Sequence, residues 1–124
     1  MTGNRWILTL RAVLIAHSCA LLAQPALAGE FLSGADGIVK FHEWTGWVII
    51  ALCAIQIGLV LLAMRSASAS VWLLFGSVFV LLAELLQVGS GYGRFLEVHV
   101  PLGVIAFGIV LVQTISVFRA GSNK

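Results

Sequence analysis

Residues 43–64 read EWTGWVIIALCAIQIGLVLLAM, and no charged side chain interrupts them between Glu43 and Arg65. A helix rises 1.5 Å per residue, so about 20 such residues cross the roughly 30 Å hydrocarbon core of a bilayer. Three further runs share this character, at about 6–28, 70–88 and 98–118. Strands are excluded, because an open sheet edge leaves its N–H and C=O groups unpaired in lipid and four short strands cannot close a barrel. The sequence therefore predicts an all-α, integral membrane four-helix bundle occupying residues 1–124 as a single transmembrane domain. The predicted connections, about 14, 5 and 9 residues long, are short enough to make neighbouring helices antiparallel.

Composition and charge agree. Of 124 residues, 60% are apolar and 10% charged, with a mean hydropathy of +1.08. Seven basic and five acidic side chains cannot clothe a soluble domain of this size. A net charge of +2 gives no reason to expect a nucleic-acid partner, and lipid is the expected surrounding. Arg5, Arg11, Arg65, Arg119 and Lys124 fall at the two termini and the second connection. Glu30, Asp36, Glu43 and Glu97 gather with Lys40 and Arg94 around the first and third connections, and Glu84 lies inside a span. By the positive-inside rule both termini are cytoplasmic, as in a multi-pass protein of the bacterial inner (cytoplasmic) membrane. All four tryptophans (Trp6, Trp44, Trp47 and Trp72) and Tyr92 lie near span ends, where aromatic side chains favour the interface. Residues 1–28 also read as a secretion signal, with Arg5 and Arg11, an apolar stretch, and Ala26-Leu27-Ala28 before Gly29. Cleavage would leave three spans and expose bundle faces, so the segment is expected to stay as the first span. Cys19 and Cys53 sit in apolar helices and read as small hydrophobes.

An internal repeat carries the chemistry. Span two begins His42-Glu43-Trp44-Thr45-Gly46 and contains Gln56; span four begins His99-Val100-Pro101-Leu102-Gly103 and contains Gln113. In both, a glycine follows the histidine by four residues and a glutamine follows the glycine by ten. Gln24 and Gln87 likewise approach the ends of spans one and three. Two copies of a helical hairpin, related by a pseudo-two-fold axis along the membrane normal, account for this pattern. Residues four apart share a helix face, so Gly46 and Gly103 lie one turn below His42 and His99. The two histidines are then diagonal partners at one depth near the outer surface. A planar macrocycle between them would take one imidazole on each side of its metal, and the glycines would let it approach the helices. That is the ligation a bis-histidine haem b needs. Interfacial histidines with packing glycines are the plainer alternative, and zinc is disfavoured because the sequence shows no convincing third or fourth protein ligand.

Other polar residues are placed around this pair. Glu84, Gln87 and Gln24 are expected to form a polar relay beside the cofactor, since a carboxylate in hydrocarbon must be neutral, paired or interior-facing. Lys40 and Arg94, each a few residues before its histidine, are expected to meet anionic propionates. His17 reads as a packing or proton-accepting residue, and Gln56 and Gln113 as a hydrogen-bonded link between the repeats at the cytoplasmic side.

In span order and in His42 and His99, the chain resembles one four-helix half of the haem A synthase family, which is cytochrome-b-like. In that family each half carries a histidine on its second and fourth helices. A glutamine turn into a glycine loop precedes the later histidine, as Gln87-Val88-Gly89 precedes His99 here. The resemblance implies a bound haem and, through a homodimer, an eight-span form. The chain departs from the family in having four spans and no loop cysteine, so oxidation of a haem methyl group is not expected of one chain. The expected function is a haem b-binding membrane protein that relays electrons with a quinone or a respiratory membrane protein. A non-catalytic subunit of a larger membrane complex is the alternative. No catalytic residue is assigned.

Overall fold

The computed structural model describes residues 2–122, with the side chains of residues 5–120. Lys124, counted among the cytoplasmic charges, lies outside the described residues. The fold is four helices: α1 (Thr2–Leu32), α2 (Ile38–Arg65), α3 (Val71–Tyr92) and α4 (Leu96–Ser122), with no strand among the described residues. All four are long and apolar enough to cross a membrane, and the chain is a membrane four-helix bundle. Each helix packs on two neighbours, α1 on α2 and α4, and α3 on α2 and α4. This leaves α2 and α4 facing each other diagonally, as the repeat requires.

The helices are longer, and the first and third connections shorter, than hydropathy alone suggests. The connections are residues 33–37, 66–70 and 93–95. Apolar runs mark only the stretch that must avoid water, whereas backbone hydrogen bonding continues beyond it. The first connection closes with Gly37 in the left-handed region (φ 87°) immediately before α2. Any residue with a Cβ would be strained there. The α3–α4 turn puts Arg94 in the same region (φ 59°), held by Phe95 N–H donating to the Ser90 carbonyl over 2.9 Å. Pro25 and Pro101 lie inside α1 and α4. Neighbouring helices make such interruptions tolerable in a membrane bundle.

The interior reproduces the repeat residue by residue. On α2 the buried positions include Ile49, Cys53, Gln56 and Val60; on α4 they are Ala106, Val110, Gln113 and Val117, each 57 residues later. His42 and His99 share that offset. On α1 the buried positions are Leu10, Leu14, His17, Leu21 and Gln24. Adding 63 gives Leu73, Ser77, Val80, Glu84 and Gln87, of which all but the half-buried Gln87 are buried on α3. Spacings of three and four along each helix form the narrow seam of antiparallel bundle packing. At the end opposite His42, the Arg11 guanidinium donates to the Val117 carbonyl over 3.1 Å and lies over the Phe118 ring. That contact fastens α1 to α4.

Glycine substitutions test this packing. A Cβ at Gly76 would stand 2.5 Å from Gln113 Nε2, whereas one at Gly58 meets nothing within 4 Å. Gly76→Ala is expected to displace the Gln113 amide from its hydrogen bonds and cost about 1–2 kcal/mol. Gly58→Ala should be neutral or slightly stabilising. Thermal unfolding of the two variants in detergent checks the difference.

Candidate functional site

Two polar features lie one above the other inside the bundle. The deeper is a chain of hydrogen bonds whose directions can be followed from one end. Ser77 Oγ donates to the Leu73 carbonyl over 2.7 Å, so it can only accept from other groups. Gln113 Nε2 donates to the same carbonyl over 3.1 Å and toward Ser77 Oγ at 3.4 Å. Gln113 Oε1 is therefore an acceptor, and it receives Gln56 Nε2 at 2.9 Å. Gln56 Nε2 gives its second hydrogen to Ser77 Oγ at 2.7 Å. Gln56 Oε1 is then left to accept from His17 Nδ1 at 2.9 Å. The imidazole must carry its proton on Nδ1, which leaves Nε2 facing Glu84 Oε1 at 2.7 Å. One proton lies between these two atoms, and the pair is neutral overall whichever atom holds it. Glu84 Oε2 has no hydrogen-bond partner. Cys53 completes the cluster, its thiol donating to the Ser77 carbonyl over 3.4 Å.

Above this chain, a cavity of about 400 Å³ opens at the end of the bundle where α2 and α4 begin. Glu84 and Ile49 are the deepest parts of its wall; His42, His99, Gln24, Gln87 and Arg94 stand around it. The His42 and His99 rings face each other across the axis with centroids 6.0 Å apart and planes inclined by 50°. His99 Nδ1 donates to the Gln87 carbonyl over 2.7 Å, which leaves its Nε2 as the free, unprotonated nitrogen. That arrangement orients a metal-ligating histidine and fixes its tautomer. The His42 Nδ1 is buried without a partner. The His42 backbone carbonyl accepts Gln24 Nε2 over 3.2 Å, so each repeat's glutamine touches that repeat's histidine. At the rim, Tyr92 Oη donates to Glu43 Oε1, joining α3 to α2.

The structure brings together most of the residues singled out from sequence and separates others. His42, His99, Gly46, Arg94, Glu84, Gln87 and Gln24 line one cavity. Lys40 is exposed on α2 and is not part of the cavity wall. Gly103 abuts the Gln87 side-chain amide, and Gly46 faces Val88. Gly91 is the glycine against which the His99 ring lies, with a Cβ there only 3.0 Å from the imidazole. Sequence reading did not pick out Gly91. Glu84, Gln87 and Gln24 are not hydrogen-bonded to one another; Glu84 bonds His17 instead. His17 thus belongs to a polar cluster rather than to packing alone. Its spacing of seven from Gln24, matched by Ser77 and Glu84 on α3, was the available signal. Gln56 and Gln113 do link the repeats.

No family model, curated protein or solved structure matches the chain. The arrangement of its own side chains therefore carries the functional reading.

The hydrogen-bond directions make a prediction. An amide at position 84 can donate to His17 Nε2 as a protonated carboxyl does, so Glu84→Gln should preserve stability within about 1 kcal/mol. Glu84→Leu or His17→Leu alone strands a buried polar group and should cost about 3 kcal/mol, with partial recovery in the double variant. Urea or thermal titration of the four proteins in detergent measures the cycle.

Proposed function

We propose that the chain binds one haem b between His42 and His99 and relays electrons at that end of the bundle. The observation that carries this reading is the spacing of the two imidazoles. Two metal–nitrogen bonds of about 2 Å, each extended by about 1 Å to the ring centre, separate axial imidazole centres by roughly 6 Å. The two ring centroids lie 6.0 Å apart in the structure. His99 adds a fixed tautomer with its Nε2 free. A macrocycle supplies its own four equatorial donors, so two protein ligands complete the iron. A bare zinc ion at this level would need further protein ligands. The only cluster of three such ligands among the described residues lies deeper.

A bound haem would supply a one-electron redox change, and His42 and His99 would be the residues that hold it. The protein's own part is to hold the ligands and surround them with an apolar wall. Ile49, which is buried, lies at the base of that wall, and the exposed Phe31, Leu32, Val39 and Leu96 stand around its open end. Arg94 supplies a cation at the cavity for an anionic ring substituent. The distribution of basic residues supports a reading in which this end faces outward from a bacterial inner membrane, with both termini cytoplasmic. A membrane-dissolved quinone or a respiratory membrane protein is the electron partner consistent with that position. A homodimer would give an eight-span unit.

Protein expressed with adequate haem should purify coloured, with a split Soret and a sharp alpha band on reduction. His42→Ala and His99→Ala should each abolish that spectrum while the protein remains helical. A colourless product, or a spectrum unchanged by both substitutions, overturns the assignment. Colourless protein that purifies with a membrane partner would support the role of a non-catalytic subunit.

A further inference from the structure

The polar cluster beneath the cavity breaks the symmetry of the bundle. His42 pairs with His99 and Gln56 with Gln113, like with like across the axis. His17, Glu84 and Cys53 do not follow this rule. Their repeat-related positions hold Val80, Leu21 and Val110, all of them buried apolar residues. Apolar side chains therefore satisfy packing at these places in the other half of the same bundle. Three polar groups without polar counterparts across the axis call for a reason other than folding.

We propose that His17, Cys53 and Glu84 form a binding site for one zinc ion at the centre of the bundle, separate from the His42–His99 pair. The three donor atoms lie within 4.8 Å of one another, and all three residues are at most 1% exposed. The hydrogen-bond chain already selects the ligating nitrogen. Gln56 holds the proton on His17 Nδ1, which directs the Nε2 lone pair toward Glu84. An acceptor bonded to the far ring nitrogen, as Gln56 Oε1 is here, is what orients a zinc-bound imidazole. Glu84 Oε2, buried and without a partner, gives the carboxylate a second oxygen for the metal. Zinc bonds of about 2.0–2.3 Å set tetrahedral donors roughly 3.5 Å apart, so the 2.7 Å His17–Glu84 separation has to open by about 0.6 Å and the widest donor separation, up to 4.8 Å, to close by about 1 Å, both by side-chain rotation. The cavity reaches Glu84 from the end of the bundle and supplies an entry path.

Charge selects the kind of cation. Without metal, the cluster holds a protonated thiol and one proton between His17 and Glu84, and is neutral. Zinc entry displaces both protons, leaving neutral imidazole, thiolate and carboxylate around a dipositive ion. Two positive charges enter, two leave, and the site remains neutral in hydrocarbon. A monovalent cation keeps the site neutral by displacing only one of the two protons, and so leaves one of the donors protonated and unable to ligate. The thiolate disfavours magnesium and calcium, which prefer oxygen ligands. The three ligands come from three helices, so no spacing motif announces them in sequence.

Cobalt(II) titration of the purified full-length protein tests the site. One equivalent should bind with a sulfur-to-cobalt charge-transfer band in the near ultraviolet, and zinc should displace it. Zinc added to metal-free protein in weak buffer should release two protons per chain. Cys53→Ser, nearly isosteric, should lose the band and bind zinc at least about 100-fold more weakly. The His42→Ala/His99→Ala double variant should keep both band and affinity, so failure of the haem assignment leaves this result unaffected. The proposal is overturned by saturation with cobalt without the band, or by a band that survives Cys53→Ser. Loss of binding only in the His42/His99 variant also overturns it, because the metal then sits at the upper pair.

Discussion

Hydrocarbon offers polar atoms no water, and this constraint governs the interior of the bundle. Each buried donor or acceptor has to find a partner within the protein or remain costly. From the Leu73 carbonyl to Glu84, five side chains on four helices meet that demand in one directed chain. The chain fixes more than stability. Because Leu73 and Ser77 can accept in only limited ways, the amide orientations of Gln113 and Gln56 follow, and the His17 tautomer follows from them. A backbone carbonyl in the third residue of α3 thus determines which imidazole nitrogen faces Glu84 some three turns away.

The two sites proposed for this bundle differ in character. At the end where α2 and α4 begin, the repeat is used as a repeat: equivalent histidines face each other, and equivalent glutamines contact them. Such a pair suits a ligand with two similar faces, as a metallated macrocycle has. Lower down, symmetry is set aside. His17, Cys53 and Glu84 stand where the other hairpin has valine, valine and leucine, and their mixed nitrogen, sulfur and oxygen donors suit a single small ion. The cavity that separates the levels joins them at Glu84. The upper pair depends on the diagonal placement of α2 and α4 and the lower cluster on that of α1 and α3, which the short connections and antiparallel packing impose.

The fold was largely legible because long apolar runs have one solution in lipid. The repeat was legible too, since polar residues are rare enough in spans for His42, Gly46 and Gln56 to stand out beside His99, Gly103 and Gln113. Boundaries were less so: hydropathy reports where water must be absent, while helical hydrogen bonding runs past it to Leu32 and begins again at Ile38. The pairing of His17 with Glu84 was hidden for another reason. The two residues are 67 apart and on diagonal helices, so only the rotation of α1 and α3 brings them together. Glycine roles were also set by rotation. Gly103 turned toward Gln87, and Gly91, which no motif marks, came to lie against His99.

The central claim is that His42 and His99 together ligate one iron. Electron paramagnetic resonance of the oxidised, haem-loaded protein addresses it most directly. A low-spin ferric signal of two-imidazole type, one per chain, is the predicted result. A high-spin ferric signal, showing an open or non-imidazole axial position, would contradict it.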